Sequence, residues 1–172
     1  MKKNVCLHNY IIKKSIINFW IVNALINAGI FIVQISDKTR TFTTTDIALD
    51  YVISIIILGM LCSLTGFPMI KKDIEKGVAP EIDYDKKDHI IAKYFPENNF
   101  LKAIILTIIA LVLIIPFFVG IPAMFGMLTL NYTQALILKT IATGFAGVIV
   151  GYFVMILTLT ENKLSIEKSK AV

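Results

Sequence analysis

Residues 71–99 read KKDIEKGVAPEIDYDKKDHIIAKYFPENN, and this charged segment lies between two pairs of long apolar stretches. It carries six lysines and seven acidic residues, whereas the sequence on either side contains uncharged runs of twenty residues or more. The segment therefore divides the chain into two halves, each with a pair of long apolar stretches.

The composition is that of a membrane protein. Hydrophobic residues make up 56% of the 172 residues, compared with roughly 45–50% in soluble domains, and the mean hydropathy is +0.76. The net charge of +5 does not indicate nucleic acid, because the lysines cluster beside the apolar stretches, where anionic lipid headgroups attract them. We expect the lipid bilayer as a partner and no nucleic acid.

Four apolar stretches are long enough to cross a bilayer, which takes about 20 helical residues. They predict an all-α, polytopic four-transmembrane-helix bundle forming a single membrane domain, 1–172, with spans at about 15–36, 47–70, 100–126 and 133–160.

Local signals mark where these helices begin, end or are interrupted. Thr43 with Asp46 resembles a capping box, and residues 131–134 resemble a second cap. Pro116 and Pro122 predict a bent or interrupted third helix. Residues 76–80, KGVAP, are typical of a helix end followed by a turn.

The distribution of lysine and arginine predicts the topology. The amino-terminal tail has four, the central segment six and the carboxyl-terminal tail three, whereas the two remaining loops have two and none. The positive-inside rule then places both termini and residues 71–99 in the cytoplasm of a multi-pass protein of the cytoplasmic (inner) membrane.

The glycines suggest an internal repeat. Gly59 and Gly66 in the second span have the same spacing as Gly144 and Gly151 in the fourth, and Gly29 has a looser counterpart in the third span at Gly120. This pattern favours two helical hairpins of the same orientation. The alternative is coincidence between glycine-rich apolar helices.

The polar residues within the spans are the candidate functional set. Asn23, Asn27 and Gln34 share one stripe of the first helix, where they either form interhelical hydrogen bonds or line a substrate or ion path. Asp50 and Lys139 are read as the only charges inside the spans. They either form a pair, as a structural clamp or a proton or cation site, or extend separately to the outer interface.

Small residues predict close helix packing. Gly147 and Gly151 form a GxxxG motif in the fourth span, and the second span carries Gly59, Ser63 and Gly66. We expect these positions to pack within the monomer, with a dimer seam as the alternative.

Within the charged segment, residues 85–95 place apolar side chains on one side and predict a short amphipathic helix on the membrane surface, with a solvated linker as the alternative. No GxSxG, HExxH, P-loop or CxxC motif is present, and Cys6 and Cys62 are too far apart for a metal or redox motif. We therefore expect no enzyme activity, cofactor, metal or disulfide.

Several short elements together resemble a family of small bacterial four-span membrane proteins without an assigned activity. They are Asn23 and Asn27, Asp50 at the start of the second span, the basic-then-Gly-Pro run at 71–80, Pro96, and Lys139 at the start of the fourth span. The resemblance implies the four-span fold and supplies no function.

Two functions fit this architecture. The first is a non-enzymatic accessory or regulatory membrane subunit that docks on another membrane protein. The alternative is a small transporter or channel, which requires a homo-oligomer, because four spans with one or two charges barely enclose a path.

Overall fold

The structure, a computed structural model, describes residues 6–80 and 92–170, with side chains as far as residue 161. Four helices account for most of this part of the chain, and all four are long and apolar enough to span a membrane. We label them α1 (Leu7–Gln34), α2 (Thr44–Glu75), α3 (Asn99–Met124) and α4 (Tyr132–Lys170). The predicted all-α bundle of four apolar helices is confirmed.

The two loops at one end of the bundle pair with each other as a small antiparallel sheet. Strand β1 (Thr41–Thr43) leads into α2, and strand β2 (Thr129–Asn131) leads into α4. We call this the sheet end and the opposite end, where the described part of the chain begins, the termini end. The strands were not predicted, because three-residue segments lack a readable alternation.

Both predicted helix caps are confirmed beside these strands. The Thr43 hydroxyl accepts a hydrogen bond from the backbone N–H of Asp46, whose carboxylate accepts from the backbone N–H of Thr43. Asn131 and Gln134 make the same reciprocal pair at 2.9 and 3.0 Å. These bonds satisfy N–H groups that the first turn of a helix leaves unpaired.

At the termini end, α2 stops in a Schellman motif, as the KGVAP run predicts. Gly77 adopts φ +66°, and its N–H donates to the carbonyl of Ile74 while the N–H of Val78 donates to that of Asp73. Glycine adopts this left-handed backbone conformation without the strain that a side chain would cause. The chain can therefore leave the helix at this point.

Regular α-helical bonding is interrupted twice. In α3 the interruption is a π-helical segment, Pro116–Gly120, which agrees with the prediction from the two prolines. In α1 a second π-helical segment, Ser15–Ile21, occurs without proline and was not predicted. This segment carries Phe19 into the centre of the bundle, where the side chain is buried.

The two hairpins, α1 with α2 and α3 with α4, correspond at an offset of 88 residues. This offset relates the helix caps Thr43 and Asn131, and Phe42 with Leu130, which are direct partners in the sheet. Every residue that α2 buries has a buried counterpart in α4. These pairs are Ile47 with Ala135, Tyr51 with Lys139, Ile55 with Thr143, Leu58 with Ala146, Gly59 with Gly147, Ser63 with Gly151, Gly66 with Val154, Phe67 with Met155, and Ile70 with Thr158.

Contacts between the hairpins are exchanged by the same offset, as a twofold rotation requires. A Cβ placed on Gly59 would lie 2.5 Å from Thr107, and one on Gly147 would lie 2.5 Å from the carbonyl oxygen of Phe19, the residue 88 positions before Thr107. A Cβ on Gly66 would meet its own counterpart, Val154, at 2.9 Å. The pseudo-twofold axis therefore runs along the bundle, from the sheet through this helix crossing.

The register inferred from the glycines needs correction. Matching Gly59 with Gly144 gives an offset of 85 residues, whereas the fold matches Gly59 with Gly147. Gly144 instead makes room for the indole of Trp20. The space around Gly29 and Gly120 is open, so those two glycines are not packing positions. Spacing alone does not reveal which neighbour each glycine admits.

The predicted surface helix at 85–95 falls mainly outside the described residues. Its last part forms a 3-10 turn, Ala92–Tyr94. Phe95 is buried and stacks on Phe153 with ring centroids 6.2 Å apart, whereas Tyr94 is 77% exposed. These two aromatic residues therefore do not share the single apolar face that the sequence suggested.

Candidate functional site

The GxxxG motif packs α4 against α1 within the chain. Gly147 faces the backbone and the amide of Asn23, and Gly151 faces the ring of Phe19 so closely that a Cβ would overlap it. Because the glycines let the two backbones approach, dispersion forces hold the helices together. Of the two alternatives, packing within the monomer and a dimer seam, the structure therefore has packing within the monomer at Gly147 and Gly151. The same is true at Gly59 and Gly66.

The amide stripe of α1 divides between the core and the surface. Asn23 and Asn27 are buried, and each donates its side-chain N–H to the carbonyl four residues earlier in α1. The thiol of Cys62 in α2 donates to the Asn23 side-chain oxygen across 3.2 Å. Gln34 is exposed and lines a cavity at the sheet end. The two asparagines are thus bonded within the bundle.

Asp50 and Lys139 form an ion pair near the sheet end. The ammonium nitrogen lies 2.7 Å from a carboxylate oxygen of Asp50 and 5.3 Å from the centroid of the Phe31 ring. The lysine side chain is 1% exposed and the aspartate side chain 35% exposed. Of the two alternatives left by the sequence, the structure has the paired one, because burial without a counter-ion would be costly for Lys139.

A cavity of about 140 Å³ opens beside this pair. Its wall combines Gln34, Arg40 and Asp46 from the sheet end with Asp50 and the buried side chain of Tyr51. The Tyr51 hydroxyl has no hydrogen-bond partner among the described residues. The cavity is large enough to admit water to the exposed side of the carboxylate.

The ion pair predicts the outcome of exchanging its charges. Asp50→Lys and Lys139→Asp, made singly, are each expected to destabilise the folded protein by about 2 kcal/mol, because each places like charges together in a partly hydrated site. The exchanged double variant should recover most of this loss in detergent unfolding experiments. If the double variant loses as much stability as the two single variants combined, the contact is contradicted.

Lys102 is a third charge inside a span, and it was not predicted from the sequence. Its side chain is fully buried in the first turns of α3, and its ammonium lies 2.6 Å from Glu161 of α4 and 3.0 Å from the Asn99 side-chain oxygen. The Phe67 ring centroid lies 5.2 Å away. The expectation that Asp50 and Lys139 are the only span charges was therefore wrong, and Glu161 belongs to the bundle rather than to a polar tail.

The 88-residue offset could have revealed this pair. It maps Lys102 onto Lys14 and Glu161 onto Asp73, and those two residues form an ion pair of 2.7 Å between α1 and α2. Asp73 also accepts a hydrogen bond from the Tyr10 hydroxyl at 2.7 Å. Each hairpin is therefore closed at the termini end by a lysine from its first helix and an acid from its second.

The described residues contain no cluster of three or more histidine, cysteine or acidic side chains that would hold a metal ion. Both cysteines are free thiols. The ion pairs join helices to each other, whereas the amides of Asn23 and Asn27 donate to the backbone of their own helix.

No protein-family model, curated protein or solved structure matches the chain. The resemblance to small bacterial four-span proteins stays a prediction from short motifs.

Proposed function

We propose that the protein is a non-enzymatic membrane subunit, an accessory or regulatory component that docks on a larger membrane complex. The observation that carries this proposal is the filled interface between the two hairpins. In transporters built from repeats, substrate binds where the repeats meet near the middle of the membrane. Here that region is occupied by Ile55, Val150 and Val154, all fully buried, and by the tight contact at Gly66.

The intramembrane polar groups support the same proposal. Lys102, Lys139 and Asn23 each bond to a side chain of another helix, so their polarity serves helix association. The outward surface is left for interactions with lipid or protein. It is strongly apolar, and Leu25 and Val112 on it are 66% and 65% exposed. A bundle of this kind is suited to lying beside other membrane helices.

Co-purification from native membranes tests the proposal. A protein tagged at the carboxyl terminus and extracted in mild detergent should bring down a second membrane protein in stoichiometric amount. Recovery of this chain alone, as a monomer with its lipids, would contradict a docking role. The Gly147→Ala variant gives a second readout. It loosens the packing of the bundle, so it should lose the partner while remaining in the membrane.

The cavity beside Asp50 favours one alternative, a small oligomeric transporter or channel. Its charged wall and the unpartnered Tyr51 hydroxyl resemble the outer part of a path. A homo-oligomer that carries ions or protons across liposomes, with flux abolished by Asp50→Asn, would replace the docking proposal with this one.

We also propose that the protein lies in the cytoplasmic membrane with the termini end inside. The sheet joins both outer loops at one end, and the lysine-rich segments belong to the other. The exposed thiol of Cys6 tests the orientation: an impermeant maleimide should label it only after the membrane is permeabilised. Labelling in intact cells would reverse the topology.

A further inference from the structure

A cleft of about 580 Å³ opens at the termini end between α2 and the facing ends of α3 and α4. Its rim is polar and includes Lys71, Glu97 and Asn99, all exposed. Its deeper wall is apolar and includes Leu64 and Pro68, which are also exposed and so keep the cleft open along the side of the bundle. Along the helix direction, the lining of the cleft therefore changes from polar at the rim to apolar deeper in the bundle.

The distance between the two parts matches an amphiphile. Leu64 precedes Lys71 by seven residues, which corresponds to about 10 Å along a helix. A lysine at the end of an apolar span lies at the headgroup level of a bilayer, so Leu64 lies at the level of the acyl chains. A ligand in this cleft would have its polar group at the rim and its apolar part against α2.

The charges at the rim specify the polar group. Glu161, which also lines the cleft, is bonded to the buried Lys102, so its charge compensates that lysine. Lys71 and Glu97 form no ion pair with each other or within the rest of the described chain. One cation and one carboxylate on the rim of the same cleft complement a zwitterion, with phosphate at the lysine and ammonium at the carboxylate.

The cleft breaks the pseudo-twofold symmetry of the fold. The counterparts of Pro68 and Lys71 in α4 are Ile156 and Leu159, both buried apolar side chains. In addition, α1 begins at Leu7, four residues earlier than the counterpart of the start of α3, so that it has an extra turn at this end. Among the described residues, the equivalent position beside α4 is thus filled by buried apolar side chains, whereas the one beside α2 is an open, charged cleft.

We propose that this cleft binds a zwitterionic, amine-bearing phospholipid. The phosphate lies at Lys71, the ammonium lies at Glu97 with the Asn99 amide beside it, and one acyl chain follows Leu64 and Pro68. The site is separate from the proposed docking function, since it requires no protein partner.

Native mass spectrometry of the purified protein tests this proposal with phosphatidylethanolamine, phosphatidylglycerol and soluble phosphoethanolamine as probes. The wild-type chain should prefer phosphatidylethanolamine to phosphatidylglycerol. The double variant Lys71→Ala with Glu97→Gln should lose about tenfold in affinity for phosphatidylethanolamine, the loss expected for about 1.4 kcal/mol of charge-assisted contacts. The matched control is Lys72→Ala with Glu75→Gln, which changes exposed neighbours outside the cleft and should retain the preference.

A second variant tests the acyl-chain part. Leu64→Trp should fill the deeper wall and weaken phospholipid binding, without affecting the weak binding of soluble phosphoethanolamine. Equal binding of the two phospholipids by the wild type, or an equal loss in the control variant, would overturn the proposal. Phosphoethanolamine that binds as tightly as the phospholipid would show that a soluble headgroup compound is the ligand and overturn the lipid assignment.

Discussion

Replacing Glu161 with alanine is expected to lower the free energy of unfolding by about 3 kcal/mol, because it leaves the ammonium of Lys102 buried without a carboxylate. The lysine side chain has no exposed surface, and the Asn99 amide and the Phe67 ring that remain near it carry no negative charge. The measurement is unfolding in mixed micelles with increasing denaturing detergent, followed by circular dichroism.

Two control variants separate the charge effect from the loss of packing. Lys102→Met combined with Glu161→Ala removes both charges and should recover most of the stability, because no uncompensated ion remains. Asp73→Ala breaks the equivalent pair of the first hairpin. Its effect should be smaller, because Lys14 is 22% exposed and water can hydrate it. A double variant no more stable than Glu161→Ala would show that the ion pair itself is not the cause.

Replacing Gly147 with alanine is expected to cost about 2–3 kcal/mol through overpacking at the contact between α1 and α4. The new methyl would lie 2.5 Å from the carbonyl oxygen of Phe19 and from the Asn23 amide nitrogen, and the first of these belongs to the backbone. The helices must therefore separate rather than rotate one side chain. The same detergent unfolding experiment measures the loss.

Gly29→Ala is the matched control, because apart from the adjoining backbone of its own helix no atom lies within 4 Å of the position that its Cβ would take. In this variant we expect no loss and a gain of up to about 1 kcal/mol from the higher helix propensity of alanine. If both variants behave alike, the effect of Gly147→Ala comes from the helix backbone and not from the contact with α1.

The pseudo-twofold arrangement explains why the same kinds of residue recur in both hairpins. A rotation axis along the bundle makes the contact of α2 with α3 equivalent to the contact of α4 with α1. Both contacts therefore need a small residue, at Gly59 where Thr107 approaches and at Gly147 where Phe19 approaches. The pairs Lys14–Asp73 and Lys102–Glu161 each close one hairpin, whereas Asp50–Lys139 joins α2 to α4. The cleft at the termini end departs from this symmetry, and sites of function are expected where a structure departs from its own regular pattern.

Local patterns in the sequence were sufficient for the number of spans, both helix caps, the helix end with a turn at residues 76–80 and the interruption at Pro116. Each of these depends on residues within a few positions of one another, so the chemistry is readable in order along the chain. The candidate pair Asp50 and Lys139 was also identified, because a charge inside an apolar run is conspicuous.

The burial of Lys102 could not be predicted from neighbouring residues. It stands one turn from a span end, where a lysine ordinarily reaches the headgroups, and only Glu161, 59 residues later, makes its burial stable. The repeat register was missed for a related reason, since Gly144 and Gly147 look equivalent until Trp20 and Phe19 occupy their different surroundings.

The sequence by itself determined four helices long and apolar enough to span a membrane and the caps that begin α2 and α4, because span length and capping are properties of contiguous residues. Only the tertiary structure decided which lysines are buried, which glycines correspond, and that Lys71, Glu97 and Asn99 border an open cleft. Those features depend on contacts between residues far apart in the chain, and their energies arise only when the helices pack.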